Sequence, residues 1–109
     1  VLKVERMTIN IQFVKMKTSE SMSSYVTKKL QKLTKRYSWI IRADVFFKME
    51  NDPSKKGHIC EMELSLPGPK IFAVSNENNF EMAVKETISD LDKQLKKRKA
   101  KFTNQNISS

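Results

Sequence analysis

Two different spacings of apolar residues follow one another along the chain, and their order limits the folds open to it. The tight turn at residues 67–69 predicts a short strand after it, and in three other stretches apolar residues alternate with polar ones, which predicts strands with one buried face. In two longer stretches they recur at steps of three and four residues, which predicts amphipathic helices. The predicted strands lie at residues 7–14, 43–49, 60–66 and 70–75, and the predicted helices at residues 20–37 and from Phe80 through the apolar positions up to Leu95.

The resulting order, β-α-β-β-β-α, places the chain in the α+β class. The simplest arrangement is one four-stranded sheet that carries both helices, side by side and parallel, on one face. A chain of 109 residues can bury one modest core, so we expect a single domain over residues 7–102. Residues 103–109 lack periodicity and are predicted to form a flexible tail. Met7 could be the natural start, which would make residues 1–6 an N-terminal extension.

The chain is strongly basic, with 21 Lys and Arg against 12 Asp and Glu and a net charge of +9. A small domain with that excess repels itself, and binding of a polyanion commonly offsets the cost. Solubility alone is one alternative explanation of the charge. A membrane-surface helix is another, but it would need an apolar face that the core requires here. No apolar run approaches the ~18 residues that span a bilayer, so we expect no membrane partner.

Residue types that carry out catalysis are few. His58 and Cys60 would share one face of a strand, but a metal site needs further ligands and a nucleophilic pair needs an orienting third group. Gly57 and Gly68 both fall in turns, so no glycine-rich loop can cradle a nucleotide. We therefore expect no enzymatic activity, cofactor, metal or small-molecule substrate. A lone cysteine cannot form an internal disulfide, which suits the reducing cytoplasm.

The basic residues are better organised. The first predicted helix has five on one flank beside its apolar stripe, uninterrupted by acids: Lys28, Lys29, Lys32, Lys35 and Arg36. The second adds Lys85, Lys96 and Lys99 on one flank with Asp92 among them, Lys93 on its outer face, and Lys97, Arg98 and Lys101 towards its end. If the helices are parallel neighbours, these flanks either meet across a shared groove or both face outward. The pattern predicts a phosphate-binding surface, with a plain solvated face as the alternative.

Two aromatic residues that are not among the predicted core positions could add to the phosphate-binding surface. Trp39 follows the first helix, and Phe46 alternates with the apolar side chains of the second predicted strand. Either ring could stack on an unpaired base, or could be used for packing within the protein. The sequence leaves both uses open.

Two segments resemble the family of ribosome hibernation-promoting factors and ribosome-associated inhibitors. SESMSSYVTKKLQKLTKRY (19–37) resembles its opening helix, and NNFEMAVKETISDLDKQLKKRKAK (78–101) resembles its closing stretch. By position, Lys29 and Lys32 match basic places of the family, and Lys93 stands where Arg is usual. Lys97, Lys99 and Lys101 continue its basic run, while Glu81, Lys85 and Ser89 depart from its pattern.

The resemblance implies a fold like that of double-stranded-RNA-binding domains and a short-form member without the C-terminal dimerisation domain. It further implies a cytoplasmic translation inhibitor of stressed or stationary-phase cells, monomeric off the ribosome. Its partner would be the small ribosomal subunit, bound through ribosomal RNA so that the decoding channel for mRNA and tRNA is occluded. A general structured-RNA-binding module and a protein-interaction domain that uses the sheet, with the charge serving solubility, are the alternatives.

Overall fold

The computed structural model describes residues 7–51, 53–54 and 56–108, and for residues 103–108 it describes the backbone alone. Six elements follow one another: β1 (Thr8–Phe13), α1 (Glu20–Arg36), β2 (Arg42–Met49), β3 (His58–Ser65), β4 (Ile71–Glu77) and α2 (Phe80–Ser108). The predicted order β-α-β-β-β-α is confirmed. Residues 1–6, the predicted N-terminal extension, lie outside the described residues.

The four strands form one mixed sheet in the order β1-β2-β3-β4. β1 pairs with β2 in parallel, while β3 is antiparallel to both β2 and β4. α1 connects two parallel strands and so runs back against them, and α2 follows β4, which is parallel to β2, and packs back on β3 and β4. The two helices therefore run in the same direction, as predicted.

One face of the sheet and the inner sides of both helices form the core. Ala43, Val45 and Phe47 of β2 are fully buried beneath the helices. The apolar stripes of the helices meet them, with these residues almost inaccessible to solvent: Val26, Leu30 and Leu33 of α1, and Val84, Leu91 and Leu95 of α2. The opposite, open face of the sheet carries Phe72 and Val74, which are about half exposed at 50% and 49%. Both helices thus lie on one face, which leaves their outer sides to solvent.

Short polar side chains cap the N-termini of both helices. The Ser19 hydroxyl accepts a hydrogen bond from the Met22 backbone N–H at 3.2 Å, which caps α1. The Asn79 side-chain oxygen accepts one from the Met82 N–H at 2.9 Å at the start of α2. α1 ends at Arg36, where the Tyr37 N–H donates back to the Leu33 carbonyl at 3.0 Å. These contacts fix where both helices begin and where α1 ends.

Helix α2 extends further towards the C-terminus than the sequence predicted. Its backbone is helical to Ser108, through most of the segment 103–109 that was predicted as a flexible tail. The apolar periodicity stops before that segment, but a helix can continue with polar residues once the preceding turns are formed. The flexibility of the segment stays a prediction.

Candidate nucleic-acid interface

α1 presents a basic flank that faces α2. Lys29, Lys32 and Arg36 follow one another at steps of three and four residues, so they lie along one side of the helix. The Arg36 guanidinium contacts the Asp92 carboxylate of α2, with 3.5 Å between Nη1 and Oδ2. This contact shows which way the flank faces. The flanks of the two helices meet across a shared groove rather than both facing outward.

α2 contributes the other wall of this groove. Lys85, Asp92, Lys96 and Lys99 lie on one side of α2 at helical spacing, and the contact of Asp92 with Arg36 turns that side towards α1. Lys29 lies two turns before Arg36, and Lys85 lies two turns before Asp92. Because the helices are parallel, these two lysines come to about the same level of the groove. We call the surface lined by Lys29, Lys32 and Arg36 of α1 and by Lys85, Asp92, Lys96 and Lys99 of α2 the interhelical groove.

Five other predicted site residues lie outside the interhelical groove. The helical spacing places Lys28 and Lys35 on the outer side of α1, and Lys93 and Lys97 on the outer side of α2. Lys101 lies on the far flank of α2, the side that carries Gln94. All five side chains are exposed. The structure therefore brings about half of the predicted set together and spreads the rest over the neighbouring surface.

Three of the six cations of the interhelical groove have no acidic partner among the described residues. Lys29, Lys32 and Lys85 form no ion pair with any described residue. The Lys29 ammonium instead lies 5.4 Å from the centre of the Tyr25 ring, a cation–π contact that keeps the charge. Unpaired like charges at one level of a groove repel each other, and a phosphate backbone would relieve that repulsion. The arrangement suits binding of a polyanion.

Asp92 is the acid at the centre of this groove. Its Oδ1 accepts a hydrogen bond from the Tyr37 hydroxyl at 2.7 Å, and its Oδ2 lies 3.9 Å from the Lys96 ammonium. Burial of Tyr37, together with its hydrogen bond to the Asp92 carboxylate, raises the pKa of Tyr37 above its ordinary value. Tyr37 lies four residues after Leu33, so helical spacing alone places it in line with the buried apolar residues of α1. Its polar role could not be read from periodicity, because the partner lies on another element.

Arg98 has a structural role that the sequence did not reveal. Its guanidinium donates hydrogen bonds to the carbonyl oxygens of Pro67 and Pro69, each at 2.8 Å, and so holds the turn between β3 and β4. Gly68 in that turn has φ +92°, and a Cβ there would lie 2.8 Å from Arg98 Nη1. Both terminal nitrogens of the Arg98 guanidinium are engaged by the turn, and the expectation that Arg98 extends the phosphate-binding surface stays a prediction.

The two candidate stacking residues do not line the groove. Trp39 is half-buried and packs edge-on against Tyr37 and Phe102, at centroid distances of 5.8 and 5.2 Å. Phe46 is half-buried on the open face of the sheet, opposite to the helices. A base bound in the groove could not reach Phe46. The structure thus gives Trp39 a packing role and separates Phe46 from the candidate site.

Within the described part of the chain, no three His, Cys, Asp or Glu side chains gather in a way that could hold a metal ion. The described helices include none with the length and apolar character needed to cross a membrane.

Comparison with known proteins agrees with the resemblance. The model of the Sigma 54 modulation protein / S30EA ribosomal protein family matches residues 9–103. The chain belongs to this family. A curated relative, the ribosome hibernation promoting factor of Pseudomonas putida, is 27% identical over 95 residues, which cover 87% of this chain and 89% of that protein. The family resemblance drawn from the sequence is confirmed.

Two solved structures share the fold. A ribosomal subunit interface protein from Coxiella burnetii superposes with a TM-score of 0.77 at 23% identity, over 86% of this chain and 99% of that one. The N-terminal domain of Protein Y from Thermus thermophilus gives a TM-score of 0.72 at 24% identity, over 84% and 98%. The likeness to double-stranded-RNA-binding domains, which the resemblance implied, stays a prediction.

Proposed function

We propose that this member of the family is a non-catalytic inhibitor of translation that binds the small ribosomal subunit. Phosphates of ribosomal RNA enter the interhelical groove, and the body of the domain occupies the decoding channel where mRNA and tRNA would lie. The observation that carries the proposal is the groove itself, in which Lys29, Lys32 and Lys85 face a shared space and have no acidic partner among the described side chains.

The relatives support the ribosome as the partner. The Pseudomonas putida protein is named a ribosome hibernation promoting factor, and the Coxiella burnetii structure is described as a ribosomal subunit interface protein. The choice of the small subunit and of its decoding channel rests on the family resemblance together with the cationic groove. Such a factor works in the cytoplasm, where ribosomes translate, and needs no cofactor because it acts by occupying space.

A pair of charge reversals tests the groove against a matched pair elsewhere. Lys29→Glu with Lys85→Glu changes the net charge by the same amount as Lys15→Glu with Lys17→Glu, two exposed residues that precede α1. We expect the groove variant to bind purified small subunits about a hundredfold more weakly, because both lysines face phosphates, and the loop variant to stay within about threefold of wild type. Circular dichroism would verify that both variants keep the fold.

Salt dependence and a second target complete the experiment. If about six phosphates are neutralised, log affinity should fall with log salt at a slope of roughly −4 to −5, and the groove variant should have a shallower slope by roughly 1 to 2. Equal binding of wild type to free duplex RNA would favour a general structured-RNA-binding module. Equal binding of both variants to small subunits would show that the groove is not the site.

A further inference from the structure

The carboxylate of Asp92 is held in place from beneath. Its side chain is 19% exposed, and its Oδ1 accepts the 2.7 Å hydrogen bond from Tyr37, a residue that is only 4% exposed. A short hydrogen bond from a buried phenol to an ionised carboxylate is among the stronger hydrogen bonds in proteins. Because Tyr37 is the C-cap residue of α1, this bond joins the end of one helix to the middle of the other.

The fixed carboxylate in turn holds two cations that lie nearer to solvent. Arg36 Nη1 and Lys96 Nζ lie 3.5 and 3.9 Å from Asp92 Oδ2, and these side chains are 55% and 68% exposed. The Arg36 guanidinium also lies over the Tyr37 ring, 5.7 Å from its centre. Each cation therefore keeps an open side towards solvent while its inner side is restrained. Long basic side chains without such restraints lose more rotamer freedom when they bind.

We infer that Asp92 is a positioning residue of the interhelical groove, which orders Arg36 and Lys96 so that a phosphate of ribosomal RNA can be held between them. The inference rests on the proposed function and deepens it, because it explains an acid at the centre of a surface for a polyanion. Asp92 contributes geometry, and the two cations that it orients contribute the attraction.

A positioning role for Asp92 and the net charge alone predict opposite effects of Asp92→Asn on the affinity for RNA. Asp92→Asn removes a negative charge from the groove, so on charge alone RNA binding should become tighter. If Asp92 positions the two cations, the same change should weaken binding in spite of the added net positive charge. The amide of the new side chain can still accept the Tyr37 hydrogen bond, so the junction between the helices is retained while the ionic restraint is lost.

Asp90 provides the matched control. It lies two residues earlier on the same helix, is exposed, and forms no ion pair with the residues that the structure describes. Asp90→Asn therefore changes the net charge equally without touching the groove. We expect it to leave binding to small subunits unchanged or up to about twofold tighter. Asp92→Asn should bind about three- to tenfold more weakly than wild type, the cost of immobilising one long side chain.

The experiment measures binding of wild type, Asp92→Asn, Asp92→Glu and Asp90→Asn to purified small subunits over a range of salt. Asp92→Glu keeps the charge and should recover most of the lost affinity, which loss of packing alone would not predict. Elution from a heparin column reports net charge on a flexible polyanion, and there both Asn variants should elute slightly later than wild type. Thermal unfolding verifies that Asp92→Asn is folded at the temperature of the assay.

The outcomes separate this inference from the proposed function. If wild type binds small subunits and Asp92→Asn binds as tightly as Asp90→Asn or more tightly, Asp92 does not position the cations and the inference is overturned. If Asp92→Asn is weaker and Asp92→Glu recovers, the inference stands. If wild type fails to bind small subunits, the proposed function is wrong, and this use of Asp92 falls with it.

Discussion

Cys60 and His58 lie next but one to each other on β3, and the fold uses both side chains for packing. The Cys60 side chain is fully buried in the core, where burial raises the pKa of its thiol to about 12. The His58 ring packs edge-on against Phe80, with the centroids 4.8 Å apart. A thiol that stays neutral at physiological pH is a poor nucleophile and a poor metal ligand. Of the two residues that a catalytic pair would have needed, Cys60 is thus part of the hydrophobic core, and His58 packs against Phe80.

Cys60 gives a prediction about reactivity. In the native protein we expect a thiol-specific reagent to label Cys60 about a thousandfold more slowly than in concentrated urea, since labelling requires opening of the core. Raising the solution from about pH 7 to about pH 9 should accelerate labelling of the unfolded chain strongly, because an ordinary thiol ionises there. It should accelerate labelling of the native chain only through the fraction that opens. Fast stoichiometric labelling of the native protein would contradict the burial of Cys60.

At the scale of the helices and strands, most of the fold could be predicted from the spacing of apolar residues. Val26, Leu30 and Leu33 of α1 are buried as their spacing predicted, because a helix of 3.6 residues per turn puts them on one side. The groove could be predicted only as one of two arrangements. Whether the basic flanks meet depends on how the helices sit on the sheet, which the contact of Arg36 with Asp92 decides. The contacts of Arg98 could not be predicted for the same reason, since its carbonyl partners belong to a distant turn.

The apolar stripe of α1 makes a prediction about stability that is separate from binding. Leu30→Ala should lower the free energy of unfolding by about 2–5 kcal/mol, because it leaves a cavity at a residue with no exposed surface. Gln31→Ala, at the next and exposed position of the same helix, should change it by less than about 0.5 kcal/mol. Urea unfolding followed by circular dichroism would measure both. A small effect of Leu30→Ala would mean that α1 is not packed on the sheet as described.

At the scale of the whole molecule, the open face of the sheet and the helical side differ in how many of their charged side chains form ion pairs. On and beside the open face of the sheet, cations are matched with acids, as in Arg42–Asp44 at 3.0 Å, Lys48–Glu61 at 2.7 Å and Lys70–Glu63 at 3.1 Å. In the interhelical groove, by contrast, Lys29, Lys32 and Lys85 form no ion pair with any residue that the structure describes. Local pairing on one side concentrates the excess of positive charge on the helical side. A polyanion approaching the domain is therefore attracted to the helices rather than to the sheet.

The proposed function leads to a prediction about how the whole molecule inhibits translation. A domain that inhibits by occupying a site cannot turn over, so inhibition in a purified translation system should saturate at roughly one molecule per ribosome and reverse on dilution or at higher salt. Messenger and initiator tRNA bound beforehand should protect the ribosome, because they occupy the same channel. The groove variant with Lys29→Glu and Lys85→Glu should inhibit only at much higher concentration, while the variant with Lys15→Glu and Lys17→Glu should behave as wild type.

Inhibition far below one molecule per ribosome, or cleaved RNA in the inhibited mixture, would instead reveal a catalyst. Inhibition that bound messenger and tRNA do not prevent would place the protein elsewhere on the ribosome.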